Sequence, residues 1–158
     1  MGSAMLNRTR LITRSMTIDP NNPEKEVLMS YYMAAQLKTT FDEAIKRTEA
    51  ALKTEGFGVL TRVDVQDTLK SKIDVDFRPY TILGACNPAL AHEALQLEDK
   101  VGTMLPCNLV VQQTGDGAVE VAAINPVASM QAIDNPQLKK AAAAVQEKLS
   151  RVIDSLRS

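Results

Sequence analysis

Both cysteines of the chain, Cys86 and Cys107, and its single histidine, His92, fall within one stretch running from Thr81 to Val111. Each cysteine has a proline and an asparagine beside it, in Cys86-Asn87-Pro88 and Pro106-Cys107-Asn108. Thiol or metal chemistry in this chain has to start from these residues. A thiol attacks or ligates as its thiolate, which positive potential stabilises. Cys86 directly precedes Asn87-Pro88, a strong helix opening with asparagine at the cap and proline at the first helical position. Its sulfur is therefore expected in the field of a helix N-terminus. Three roles stay open for the two thiols. They are small buried core residues, the usual fate of free cysteines, or a reactive redox pair, or ligands of a thiophilic metal such as Cu(I).

Spacing narrows the list of chemistries. Redox and zinc motifs use cysteines two to four positions apart, whereas here 20 residues separate the pair. A disulfide would require them on adjacent strands. A closed zinc site would need Cys86, Cys107, His92 and a carboxylate such as Glu93 or Asp99 to converge. His92 follows Cys86 by nearly two helical turns, which puts it about 9 Å along and about 120° around the helix. It is expected at the surface or at an interface, and no metal site is predicted. A Cys-His nucleophile pair meets the same objection, unless His92 approaches Cys107 across the fold. The chain has no G-x-S-x-G, Walker or G-x-G-x-x-G motif, and Gly115-Asp116-Gly117 lacks the following helix that a phosphate cradle needs. Paired acids such as Asp74 and Asp76, or Glu98 and Asp99, are expected in solvated loops. No catalytic residue is assigned and no cofactor is implied.

The elements that must position these residues alternate along the chain. Residues 1–26 have no sustained period and end in the turn cluster Asp19-Pro20-Asn21-Asn22-Pro23, so they read as a flexible arm. Met1 to Met5 resembles an expression scar, with Met5 a candidate natural start. Arg8, Arg10 and Arg14 without an acid between Leu6 and Ile18 faintly resemble a transit peptide; a basic lead-in is the commoner reading. The rest, 27–158, is expected to be one domain. Val27 to Leu37 reads as a strand. Thr40 with Glu43 makes a capping box for a helix that carries Phe41, Ala44, Ile45, Thr48, Ala51 and Leu52 on one stripe and ends at Gly56. Phe57 to Val65 alternates as a strand, with Phe57, Val59, Thr61, Val63 and Val65 on its more buried face. Val65 to Ile73 is a short amphipathic helix and Arg78 to Cys86 a third strand, with Pro79 confined to its start. Pro88 to Glu98 is the helix opened by Asn87. Leu109 to Gln113 and Val119 to Ile124 form a hairpin across Gly115-Asp116-Gly117. After Asn135-Pro136, the stripe Leu138, Ala142, Val145, Leu149, Val152, Leu156 predicts a helix of about twenty residues. Hairpin and helices together indicate an α+β domain whose mostly antiparallel sheet carries helices on one face.

Composition excludes several function classes. At 158 residues the chain matches one ordinary domain. With 45% apolar and 23% charged residues it has the composition of a globular protein rather than a disordered or fibrous one. A net charge of −1 and 4% aromatics without tryptophan argue against nucleic acid as a partner. No apolar run reaches membrane-spanning length, and no secretory signal is evident. Two cysteines are too few for a disulfide scaffold and suit the reducing cytoplasm.

The blocks Gly84-Ala85-Cys86-Asn87-Pro88, Ala91-His92-Glu93-Ala94-Leu95 and Leu105-Pro106-Cys107-Asn108-Leu109-Val110-Val111 resemble signature segments of the domain of unknown function 302 family. Phe41-Asp42-Glu43-Ala44 and Glu55-Gly56-Phe57-Gly58-Val59-Leu60 are similar to its opening helix and strand, and Asn125-Pro126 with Asp134-Asn135-Pro136 to its end. The resemblance covers Leu28 to Leu156. It implies a small curved antiparallel sheet backed by helices, of the TATA-binding-protein-like class, often forming homodimers, and brings no settled activity. It marks Cys86, Asn87, Pro88, Pro106, Cys107 and Asn108 as the positions to test, with His92 in the block between them. Exported members carry signal peptides, which this chain lacks, so a cytoplasmic place is expected. The expected function is a non-catalytic, dimeric binding module for a small-molecule ligand or partner near the two cysteines. The alternatives are a thiol-dependent redox, sulfur-transfer or metal-binding protein and a purely structural adaptor.

Overall fold

The computed structural model describes residues 30–157. The expected arm, residues 1–26, and residues 27–29 of the expected first strand lie outside the described residues. The elements are β1 (Tyr32–Leu37), α1 (Phe41–Thr54), β2 (Gly58–Asp64), α2 (Val65–Ile73), β3 (Tyr80–Cys86), α3 (Pro88–Leu97), a 3₁₀ helix (Asp99–Met104), β4 (Cys107–Gln113), β5 (Val119–Ile124), α4 (Pro126–Ser129) and α5 (Pro136–Leu156). The five strands form one antiparallel sheet in the order β1-β5-β4-β3-β2. The α+β expectation holds.

Local chemistry starts and stops the helices as the sequence suggests. The Thr40 hydroxyl accepts from the Glu43 backbone N–H at 3.2 Å, and α1 closes at Gly56, whose φ of 81° is left-handed. Ala44, Ile45, Thr48 and Leu52 of its stripe are buried. In α5, Leu138, Ala141, Ala142, Leu149, Val152, Ile153 and Leu156 are buried. These two helices cover one face of the sheet, and their apolar stripes meet Leu37, Leu83, Leu109, Val111, Val119 and Val121 in the main core. A smaller cluster of Ala94, Val101, Met130, Leu138 and Ala142 fastens α3, the 3₁₀ helix and α4 to the start of α5. No helix among the described residues is long and apolar enough to cross a membrane.

Asparagine followed by proline opens a helix three times, at Asn87, Asn125 and Asn135. In each case the side-chain oxygen accepts from backbone N–H groups of the first turn. The side-chain nitrogen donates to a carbonyl far away in sequence: Glu55 for Asn87 at 3.4 Å, Ser30 for Asn125 at 2.9 Å and Leu97 for Asn135 at 3.1 Å. Each asparagine thus caps a helix and ties it to another part of the chain.

Two expectations need correction. Strand β2 lies at the sheet edge, and a register break between Val59 and Thr61 turns its faces over. Phe57 is buried and Val59 packs on the core, but Thr61 and Val63 come to lie on the side that no helix covers. The face expected to be buried is therefore only half so. The segment after Glu98 is not plain loop, because Glu98 caps the 3₁₀ helix that carries fully buried Val101.

Candidate functional site

The cysteine segment is divided by the alternation of its strands. Ala85 of β3 stands opposite Cys107 of β4, and both face the helices and are buried. Cys86, the last residue of β3, is half-buried, and the two thiols are free. They line one small apolar cavity with Phe57, Leu90, Met130 and Leu138. Its volume of about 30 Å³ has room for about two water molecules. Burial pushes the Cys107 thiol up to about 11, with a lesser push from the neighbouring Cys86, so Cys107 is a neutral thiol near pH 7.

The remaining expected site residues separate by role. Asn87 caps α3 and Pro88 occupies its first turn, exposed. His92 lies on the exposed side of α3, its Nε2 3.4 Å from the Gln96 amide nitrogen. It does not line the cavity. Among the described residues no three His, Cys, Asp or Glu side chains converge as a metal site.

Pro106 and Asn108 belong to the opposite, uncovered face. The Leu105–Pro106 peptide bond is cis. A Cβ on Gly84 would meet Pro106 Cγ at 2.7 Å and collide with the Thr61 side chain, so only glycine lets these three segments close up here. Exposed Asn108 follows on the same side of β4. Register then carries one apolar row across all five strands: Val63 opposite Ile82, Ile82 opposite Val110, Val110 opposite Ala122, Ala122 opposite Ala34. None of these five is fully buried. Beside the row runs a polar one. Gln36 and Gln112 donate to the two oxygens of Glu120 at 2.9 and 3.0 Å, and Arg78 donates to the Gln112 carbonyl oxygen at 2.8 Å. A cleft of about 360 Å³ opens on this face, lined by Tyr31, Tyr32, Tyr80, Asn108, Val110 and Gln112 among others.

The sequence reading missed Met130 and the three tyrosines. Met130 sits in a segment with no periodic signal and reaches the thiol cavity only through the fold. Tyr32 carries a usable signal, an aromatic at an outward position of a strand whose next three residues, Met33, Ala34 and Ala35, are apolar.

The profile of a family described as "Domain of unknown function DUF302" matches residues 33–156. Among solved structures, the chain is similar to the uncharacterized conserved protein DUF302 from Bacillus stearothermophilus. The two are 35% identical with a TM-score of 0.76, over 80% of this chain and 98% of that one. No curated protein matches.

Proposed function

The chain belongs to the DUF302 family, and from that premise we propose that it is a non-catalytic binding module that works as a homodimer through the uncovered face of its sheet. The observation that carries this reading is the apolar row Val63, Ile82, Val110, Ala122, Ala34, continuous over five strands with no helix above it. Contiguous exposed apolar surface rimmed by polar groups is the mark of an interaction site. Here the rim is the Gln36, Glu120, Gln112 and Arg78 ladder.

The cleft beside the row, at about 360 Å³, is within the size range of small-molecule sites. Tyr31, Tyr32 and Tyr80 supply flat apolar walls, and Asn108 supplies an amide. A second copy over the row would roof this cleft, so a small ligand would sit between subunits next to the Pro106 and Asn108 end of the cysteine segment. Arg78 is already engaged by Gln112 and Glu120 adds negative charge, which fits neither nucleic acid nor an anionic membrane. Free thiols suit the cytoplasm. A redox or sulfur-transfer role has less behind it, because a neutral, buried Cys107 is a poor nucleophile.

Sedimentation velocity on the wild type and Val110→Asp tests the reading. The wild type should sediment as a dimer at micromolar concentration and the variant as a monomer with unchanged circular dichroism. A wild type that stays monomeric at that concentration defeats the proposal, as does a variant that dimerises equally well.

A further inference from the structure

On the open face, side-chain size and charge both change sense across β4, the central strand of the sheet. The apolar row is small on one side, with Ala34 on β1 and Ala122 on β5, and larger on the other, with Ile82 on β3 and Val63 on β2. In the polar row the Glu120 carboxylate stands on β5. The Arg78 guanidinium comes from the β3 side, 5.4 Å from the centre of the Tyr80 ring, and donates to Gln112 of β4 at 2.8 and 3.0 Å. Neither charge has an ion-pair partner among the described residues. We infer that two copies pack face to face about a two-fold axis running along β4, so that Arg78 of each chain pairs with the partner's Glu120. This inference rests on the homodimer reading and gives it a geometry.

A two-fold that lays one face of a sheet on its own copy has its axis in the plane of the interface. An axis along β4 reverses the strand order of the second copy. Then β5 lies over the partner's β3, β1 over the partner's β2, and Val110 over its own counterpart. Ala122 meets the partner's Ile82 and Ala34 the partner's Val63, so large side chains fall against small ones, as close packing requires. The strands of the two sheets stay within about 30° of one another, the usual aligned arrangement. The same rotation sets Glu120 against the partner's Arg78, twice in each dimer.

An axis across the strands does neither. It keeps the strand order, so Ile82 falls on the partner's Ile82 and Ala122 on the partner's Ala122, crowding one edge and leaving the other underfilled. It also sets Glu120 over the partner's Ile124, where the charge meets no counterion. Size and charge therefore select the same axis independently. Glu120 lines the cleft beside the apolar row, so the partner's Arg78 closes that end, and the cleft is complete only in the dimer.

Charge reversal in the full chain tests the pairing, read by sedimentation velocity over a concentration series. Arg78→Glu and Glu120→Arg each put two like-charge pairs into the dimer and should weaken self-association by more than roughly 100-fold. An equal mixture of the two variants should restore dimers, because every changed position then meets an opposite charge, and the double variant should dimerise like the wild type. A dimeric wild type whose two single variants dimerise equally well overturns the pairing and leaves the open face as the interface. A monomeric wild type defeats both readings. Weakened single variants whose mixture stays monomeric also overturn the pairing, since the charges then act within one chain. Should a reversed variant lose its circular dichroism, Ala122→Ile and the double variant Ile82→Ala with Ala122→Ile decide. The first sets isoleucine against isoleucine twice and should lose dimers, whereas the second exchanges large for small and should keep them. Any other order of these two overturns the inference.

Discussion

The two faces of the sheet are built from the same strands by alternate residues, yet helices cover only one of them. On the helix side, Leu83, Leu109, Val111, Val119 and Val121 are wholly buried beneath α1 and α5. One residue away in each direction, Ile82, Val110 and Ala122 are also apolar but only partly covered. An antiparallel sheet with one wet face normally alternates apolar with polar. Here apolar residues stand on both sides, and the chain's own helices cover only one of them.

The largest expected effect breaks or upholds that contrast at neighbouring positions. Leu109→Ala empties a site on the helix side and should cost about 3–5 kcal/mol, the range for a buried leucine in a well-packed core. Val110→Ala, next in sequence but on the open face, should cost under about 1 kcal/mol in dilute protein, with the loss growing as concentration rises if a second copy covers the face. Urea denaturation of both variants at two protein concentrations makes the comparison. Equal losses at both sites, independent of concentration, would show that the two faces do not differ in this way.

The thiols give the next largest effect, and its sign follows from burial. Desolvation raises Cys107 to about 11, and Cys86 adds to the rise. In the unfolded chain the same thiol ionises near its ordinary value of about 8.5. Between these values the unfolded chain releases a proton that the folded one keeps, which favours unfolding. The stability held below about pH 8.5 should therefore fall as pH rises towards 11, by about 1.4 kcal/mol per unit and about 3.5 kcal/mol in all. Cys107→Ala should remove this slope while leaving that of other groups. Denaturation midpoints for both proteins at mildly and strongly alkaline pH provide the measurement, and parallel slopes would mean that Cys107 is not shielded from water. Glu55 moves the other way: its hydrogen bonds from Arg151, at 3.0 Å to each oxygen, hold its carboxyl below the usual range. Its contribution is present above the ordinary carboxylate value and is lost on acidification.

Much of this was legible from local signals. Val65 to Ile73 reads as a helix and is one with the same bounds, because Asp64 caps it by accepting from the Asp67 N–H and its pattern is self-contained. The three Asn-Pro openings are similarly local. What escaped the sequence depends on contacts between distant segments. The break at Val59 and Thr61 turns over the faces of β2, yet the alternation of apolar residues there runs on unbroken. Val101 is buried because the 3₁₀ helix packs on α5, in a stretch too short and mixed to show a period. Within the candidate site, the sequence grouped Cys86, Asn87, Pro88, His92, Pro106, Cys107 and Asn108 within one stretch of the chain. Strand alternation then sent Cys107 and Asn108 to opposite faces, which follows once β4 is known to begin at Cys107 rather than Leu109.

Asn87 and Asn108 sharpen the comparison with the smallest effect, since each adjoins a cysteine and only their positions differ. Asn87 caps α3 and donates to the Glu55 carbonyl at the end of α1. Asn87→Ala removes both, and loss of a cap alone typically costs about 1 kcal/mol, up to about 2. Asn108 is exposed on the open face, so Asn108→Ala should change stability by no more than about 0.5 kcal/mol. Its effect should appear instead in dimerisation or in ligand retention, read by sedimentation and native mass spectrometry. An Asn108→Ala protein as unstable as Asn87→Ala would mean that Asn108 supports the fold. If it is stable but unaltered in both binding readouts, the open face at this end of β4 makes no contact, and the ligand cleft beside Tyr80 loses its only amide from the cysteine segment.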